Sequence, residues 1–381
     1  MLKTIGYRIF ALMYYLCRPL SIRKKSVLCI MTHDDGEGSN VSLAVKALKE
    51  QETGYTFSYI TKKDTLGVKG FMSIRSLLSF FLQKPCQLAR AQIILMDNVF
   101  LPFAYIRVKK NVKVIQLWHG TGTIKKFGQD VNTGKLKELE QKANQNITHL
   151  IVNSEEIRKL YANTFGISES SVYAIGLPKT DEMLRRIDGV RKTGYNPDRE
   201  TIYHKYNIPK TSRLVLYAPT FRDQEHGSPE VFNHLERLQK GLPEDCYLGL
   251  KLHPFIAENC TDRKLPPRVC QLSYESDLTA VLMASDVLIT DYSSIIFEYC
   301  LTMRPMVFFA YDLEQFSDHG RGFYYSYKDY VPGPVVHQAE EAAAVIRENR
   351  FDTDKLRSFT ENTFSSPDGR ATVRLLELIK K

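Results

Sequence analysis

Twice along this chain, short apolar runs alternate with helical stretches, and a polar, aperiodic interval separates the two series. Strands alternating with helices imply a parallel sheet covered on both faces, so this alternation constrains the fold more than any other feature. The first series reads as strand Ser26–Met31, helix Asn40–Glu50, strand Tyr55–Ile60, helix Phe71–Leu82, strands Ile93–Met96, Val112–Trp118 and His149–Val152, helix Ser154–Phe165 and strand Val172–Ile175. The second reads as strand Leu214–Tyr217, helix Pro229–Gln239, strands Tyr247–Leu252 and Val269–Gln271, helix Leu278–Ala284, strand Val287–Thr290, helix Ser294–Leu301 and strand Pro305–Phe309. Between them, residues 187–212 carry Gly189, Gly194, Pro197 and Pro209 and read as a linker. The expectation is two Rossmann-like α/β domains, 26–186 and 213–381, with ligands at the carboxyl ends of the strands in a central cleft between them. A chain of 381 residues that is 43% hydrophobic has the apolar content for two such cores.

Residues 1–25 stand apart. The unbroken apolar run Ile9–Cys17 is nine residues long, far short of the roughly 20 that cross a bilayer. It is followed by Arg18-Pro19 and by Arg23-Lys24-Lys25 where a signal peptide would place small residues. Tyr7, Phe10, Tyr14 and Tyr15 among flanking cations predict an amphipathic helix lying on an anionic membrane; the alternative is a helix packed on the protein's own surface. Charge supports an anionic partner: residues 1–126 hold 20 basic and 7 acidic side chains, whereas the remainder holds 32 and 36. Nucleic acid is disfavoured, because the cations are not interleaved with stacking aromatics on a recognisable module.

Seven cysteines form no CxxC and no Cys/His cluster, which points away from disulfides and structural zinc and toward a reducing cytosol. A P-loop, GxGxxG, HExxH and GxSxG are all absent. No metal ligand set is evident and no cofactor is assigned; a Mg²⁺ requirement is left open, as is a homo-oligomer.

Four strand-to-helix junctions carry candidate chemistry. In Leu117-Trp-His-Gly-Thr-Gly122, His119 sits at a strand mouth where an imidazole can take a proton from a hydroxyl, and Gly120 lets backbone approach a ligand. In Leu216-Tyr-Ala-Pro-Thr-Phe-Arg-Asp223, Thr220 and Arg222 can meet phosphate or base, although Arg222 beside Asp223 also reads as a salt bridge. In Lys251-Leu-His-Pro254, Lys251 and His253 share a face and suit a diphosphate. In Ser285-Asp-Val-Leu-Ile-Thr-Asp-Tyr-Ser-Ser294, a strand runs through Asp291 into a helix start, where Ser293 and Ser294 suit an anion; Glu298, one turn on, could bind ribose hydroxyls.

Together with Gly176-Leu-Pro-Lys-Thr-Asp181 and with Arg321-Gly-Phe323 before Val331-Pro-Gly-Pro334, these motifs resemble the CDP-glycerol glycerophosphotransferases of Gram-positive wall teichoic acid synthesis, over about residues 90–335. Within that family the chain looks like the glycerol-phosphate primase type. The resemblance implies a GT-B fold, CDP-glycerol held by the C-terminal domain, and an undecaprenyl-diphosphate-linked N-acetylmannosaminyl-N-acetylglucosamine acceptor presented to the N-terminal domain. It implies a peripheral enzyme on the cytoplasmic face of the membrane that releases CMP. Carried over by motif, His119 is the general base, His253 contacts the diphosphate, Ser293 and Ser294 bind phosphate oxygens, and Glu298 lies near the ribose. Thr220 and Arg222 lie beside the nucleotide, and Lys251, Asp291, Gly120 and Arg321 complete the binding set. Two departures stand out: Lys179-Thr180-Asp181 replaces the frequent Arg-Asn-Asp, and Thr121-Gly122 replaces the usual Thr-Pro. The competing expectations are a glycerol- or ribitol-phosphate polymerase of the same family, a GT-B enzyme using a nucleotide sugar, and a membrane-bound scaffold without activity.

Overall fold

The computed structural model describes residues 2–65, 74–220, 222, 230–252, 257, 264–319, 322–365 and 367–381. The chain divides into two compact units: one holds residues 1–121, 127–182 and 364–381, the other residues 122–126 and 183–363.

The first unit is built on six parallel strands, β1 (Ser26–Met31), β2 (Thr56–Thr61), β3 (Ile93–Met96), β4 (Lys113–Gln116), β5 (His149–Ile151) and β6 (Val172–Tyr173), in the order β2-β1-β3-β4-β5-β6. Successive side chains of a strand point to opposite faces, and the two cores follow that rule. Leu28, Ile30, Ile94, Met96 and Val114 line one face. Val27, Cys29, Met31, Ile93, Leu95 and Ile115 line the other, covered by Val41, Ala44, Val45 and Leu48 of the helix Asn40–Gln51. The second unit repeats the plan with β7 (Arg213–Ala218), β8 (Cys246–Leu250), β9 (Val269–Gln271), β10 (Val287–Thr290), β11 (Met306–Phe309) and β12 (Val335–Val336), in the order β12-β11-β10-β7-β8-β9, again all parallel. Each sheet has one place where chain order reverses: between β1 and β3 in the first, between β7 and β10 in the second. Loops leaving the carboxyl ends of those strand pairs diverge there, which opens a crevice.

Three differences from the sequence reading have physical causes. Residues 187–212 are not an extended linker, because the helices Pro178–Thr193 and Pro197–Lys205 occupy most of the interval. Pro197 sits in the first turn after the Asn196 cap, where proline favours a helix instead of breaking it. Arg199 then ties that helix to Asp286 (2.7 Å) and to the carbonyl of Ser212 (2.9 Å). Residues 213–381 are not one domain either: the last helix, Ala371–Lys380, belongs to the first unit. Leu375, Leu376 and Ile379 enter the core over β1 and β3, Asp181 accepts from the backbone amides of Ala371 and Thr372, and Lys113 Nζ donates to the carbonyls of Leu378 and Ile379. The expected helix 71–82 begins outside the described residues and continues as Ile74–Leu78, a π-helical turn at Ser79–Gln83 and the helix Lys84–Arg90.

The N-terminal helix, Leu2–Cys17, has two apolar faces. Phe10, Ala11 and Tyr14 are buried in the first unit's core, with Phe10 against Phe80 and Phe100. Ile5, Ile9, Leu12 and Leu16, spaced four, three and four residues apart, are exposed, Leu12 by 59%. Leu77, Leu78 and Leu82, on the segment that supplies Phe80 to this helix, are exposed too. Among the described residues no helix is long and apolar enough to cross a membrane. Phe10→Ala is expected to destabilise the first unit by about 3–5 kcal/mol and Leu12→Ala by less than about 0.5 kcal/mol, read from urea unfolding; equal effects would contradict this division of faces.

Candidate functional site

In the first unit the reversal point lies between β1 and β3, and the loops that follow them bring His33, Asp97 and His119 together. Asp97, next after β3, is buried, and its carboxylate accepts backbone N–H from Thr32 (2.9 Å), His33 (3.2 Å) and Asp34 (2.7 Å). Its own carbonyl receives Nδ1 of His119 at 2.9 Å. A carbonyl can only accept, so Nδ1 carries the proton and Nε2 is left as the basic nitrogen. The His33 ring stacks on that of His119, with centroids 3.6 Å apart and planes 15° apart, and the Trp118 ring lies 4.0 Å away on its own contact.

The backbone that presents His119 is unusual. Trp118 has φ +54°, a left-handed conformation rare for a bulky residue. Buried amides hold it there: Trp118 N–H donates to Gln116 Oε1 (3.0 Å), and Asn40 Nδ2 donates to the carbonyls of Leu117 (3.3 Å) and Trp118 (3.2 Å). Asn40 Oδ1 accepts from the Lys179 amide at 3.0 Å. The segment Gly176–Asp181 is therefore scaffolding, with Lys179 on Asn40, Thr180 on Asn153 and Asp181 on the last helix. The strained turn also explains why β4 ends at Gln116 instead of running to Trp118.

Burial, then the His33 and Lys179 charges, push the His119 imidazole down to about 3, against the opposing pull of its bond to Asp97. Burial pushes the Asp97 carboxyl up to about 6; the three amide bonds oppose this and Asp34 reinforces it. His119 thus stays neutral throughout the physiological range, the state a general base needs.

In the second unit the reversal point lies between β7 and β10. Asp291, next after β10, is buried and accepts backbone N–H from Thr220 (2.8 Å) and Tyr292 (2.6 Å). Arg222 donates to Asp291 at 3.0 Å, doubly to Asp312 at 2.6 and 2.8 Å, and to the Thr220 carbonyl at 2.8 Å; Tyr292 OH also donates to Asp312 at 2.9 Å. Burial works against the Arg222 charge, yet these bonds and the two carboxylates outweigh it and raise its pKa. Arg222 and Asp291, expected to touch ligand, hold the crevice together through each other, Asp312 and the Thr220 backbone. Lys251 is similarly engaged, donating to the carbonyls of Ser273 (3.3 Å) and Glu275 (2.8 Å), and burial lowers its pKa.

Other expected groups present themselves differently. The Thr220 hydroxyl is buried with no hydrogen-bond partner among the described residues, as a ligand-seeking group would be. Ser294 is exposed and Ser293 half-buried at the start of the helix Ile295–Tyr299, whereas Glu298 is buried within it. Gly120 is buried beside His119, and the loop continues into the second unit as residues 122–126. A Cβ at Gly122 would lie 2.8 Å from the Phe297 ring, which is why glycine stands at this position. His253 and Arg321 lie outside the described residues. No cluster of three or more His, Cys, Asp or Glu suited to a metal ion occurs among the described residues. The sequence reading missed His33, Asp97, Asn40 and Lys179; for Asp97 the available signal was a lone carboxylate at the end of an apolar strand.

Two parallel sheets, each with its polar groups gathered at the reversal point, define a GT-B fold. Over its whole length the chain superposes on the wall teichoic acid polymerase TagF, with a TM-score of 0.79, 20% identity and 95% of that chain covered. It resembles more distantly the UDP-GlcNAc 2-epimerase of Neisseria meningitidis, with a TM-score of 0.60, 12% identity, and 93% and 100% of the two chains covered. Residues 11–381 match the family described as CDP-glycerol:poly(glycerophosphate) glycerophosphotransferase, and the chain belongs to that family of enzymes. It is 29% identical over 388 residues to the teichoic acid poly(ribitol-phosphate) polymerase of Bacillus spizizenii, covering 99% of this chain and 60% of the polymerase. It is 31% identical over 295 residues to the teichoic acid glycerol-phosphate primase of Bacillus subtilis, covering 76% of this chain and 74% of the primase.

The pKa of His119 is lower in the folded chain than its ordinary 6.5, so its contribution to stability is complete above about 6.5 and is lost as the pH falls toward about 3. Asp97, raised to about 6, acts in the opposite sense: its contribution is complete below about 3.8 and is lost as the pH rises to about 6. In the wild type the two largely cancel between about pH 4 and 6. His119→Gln removes one of them, so stability of this variant is expected to fall as the pH rises across that window, by up to about 1.4 kcal/mol per pH unit. Urea unfolding at pH 4, 5 and 6 checks this, and a slope matching the wild type would refute the assignment.

Proposed function

We propose that the protein transfers glycerol phosphate from CDP-glycerol to a hydroxyl of a membrane-bound, diphosphate-linked acceptor, as in the priming step of wall teichoic acid synthesis. The observation that carries this reading is the neutral imidazole of His119, tautomer-fixed by Asp97 with Nε2 as its basic nitrogen, in a chain of this family. The acceptor hydroxyl attacks the glycerol-bearing phosphorus and passes its proton to His119 Nε2. A new P–O bond forms, the P–O bond to CMP breaks, and CMP leaves with the electron pair. Ser293, Ser294 and the orphan hydroxyl of Thr220 are suited to the phosphate oxygens, where charge grows during the transfer. A ribitol-phosphate polymerase is the second reading, favoured by the match to the Bacillus spizizenii polymerase across 99% of this chain.

The deciding experiment measures CMP release from CDP-glycerol and CDP-ribitol with a lipid-linked N-acetylmannosaminyl-N-acetylglucosamine diphosphate acceptor, and weighs the products. One glycerol phosphate increment is expected; a ladder means polymerisation, and release from CDP-ribitol alone replaces the donor. His119→Ala is expected to reduce turnover about 100-fold or more. A folded His119→Ala protein with wild-type turnover removes His119 from the mechanism.

The exposed stripe Ile5, Ile9, Leu12 and Leu16, with Leu77, Leu78 and Leu82 and the basic residues of the N-terminal third, supports attachment to an anionic membrane surface. Deleting the helix would strip Phe10 and Tyr14 from the core, so point variants are the cleaner probe. Leu12→Asp combined with Leu16→Asp is expected to abolish flotation with phosphatidylglycerol vesicles while CDP-glycerol binding persists. Undiminished flotation would return the helix to a purely structural role.

A further inference from the structure

His33 belongs to none of the four junctions, yet it lies face to face with the ring that carries the proposed chemistry. It occupies the loop after β1, which also contains the acidic, glycine-bearing turn Asp34–Gly38. An exposed loop histidine has no reason of its own to hold one orientation, because side-chain freedom opposes it. Here the backbone beneath it is fixed. The Asp97 carboxylate draws in the amides of Thr32, His33 and Asp34, while the carbonyl of the same residue accepts the hydrogen bond from Nδ1–H of His119. One residue therefore sets both rings, and they meet at 3.6 Å and 15°.

We propose that His33 is a positioning residue: by stacking on His119 it locks the plane of that imidazole, keeps Nδ1 on the Asp97 carbonyl, and so fixes the line along which an acceptor hydroxyl reaches Nε2. This rests on the reading of His119 as the base. Without the stack, the His119 ring can rotate about its last side-chain bond. Rotation breaks the hydrogen bond to the Asp97 carbonyl that selects its tautomer and turns the basic nitrogen away from its target. The groups that face His119 are His33 from the loop after β1, Asp97 from the loop after β3, Trp118 beside it in the chain, and the Lys179 charge from the start of the helix Pro178–Thr193. Of these, only His33 is both planar and exposed, so it can be exchanged without emptying the core.

Histidine-labelled protein, with His119 assigned by His119→Gln, gives a direct readout through long-range proton–nitrogen correlation spectra between pH 5 and 8. The wild type is expected to show a single His119 tautomer protonated at Nδ1. His33→Ala is expected to show exchange between tautomers, and His33→Phe, which retains a flat ring, to restore the single form. In turnover, His33→Ala is expected to lower kcat about 10-fold with KM for CDP-glycerol within twofold, and His33→Phe to recover most of that loss. A single wild-type tautomer together with wild-type kcat in His33→Ala overturns the proposal. Wild-type turnover by His119→Ala would instead overturn the reading of His119 as base. The nitrogen spectra would still decide whether His33 sets the ring.

Discussion

A buried carboxylate that gathers backbone amides is the interaction on which both halves of the molecule depend. Asp97 and Asp291 occupy equivalent places, each directly after the strand that flanks the first strand of its unit across the reversal point. Each accepts an amide from the loop leaving that first strand, Thr32 at 2.9 Å and Thr220 at 2.8 Å. Taking a carboxylate out of water is costly unless donors replace the lost hydration, and the amides at the crevice supply them. In exchange, the carboxylate draws two loops together that parallel strands would otherwise let splay. The halves differ in what else meets the charge. Arg222 lies against Asp291, whereas three amides surround Asp97 and its pKa rises to about 6. The same device thus has different company in the two units, backbone amides in the first and amides joined by a guanidinium in the second.

Most of the strands were legible because a strand buried on both faces must be an apolar run, and β1, β3, β9 and β10 fall where the runs Ser26–Met31, Ile93–Met96, Val269–Gln271 and Val287–Thr290 predict. The errors cluster where tertiary context overrides local pattern. Leu117 and Trp118 look like strand, but the amides of Asn40 and Gln116 bend them out of it. Pro197 looks like a breaker and instead begins a helix. His119, Thr220 and the serines at 293 and 294 could be nominated as candidates because they sit in recognisable junctions. Asp97 and His33 could not, because their importance comes from pairing across β1 and β3, more than 60 residues apart in the chain. Arg222, Asp291 and Lys251 add what the sequence does not carry: each also braces a loop at the crevice, through Asp312, the Thr220 amide and the Glu275 carbonyl.

The N-terminal helix carries two apolar stripes on one short segment. An apolar sequence of this kind admits two readings, surface anchor or core element. The structure buries one stripe, with Phe10 and Tyr14 in the core, and leaves Ile9, Leu12 and Leu16 exposed on the other. Polar ties at its far end, Tyr14 OH to the Arg107 carbonyl and Lys109 Nζ to the carbonyls of Leu20 and Ala89, fix its rotation, and with it the direction in which the outward stripe faces.

The return of the last helix to the first unit has a consequence for how the molecule is made. Leu375, Leu376 and Ile379 complete a core that also contains Val27, Cys29 and Ile93, which precede them by more than 270 residues. As the chain leaves the ribosome, the second unit has all its strands before the first has its final helix, and the sheet beneath His119 waits with part of one face uncovered. Folding of the first unit thus waits until the second has been synthesised, and a chain cut before Ala371 would lack the element that seals this core.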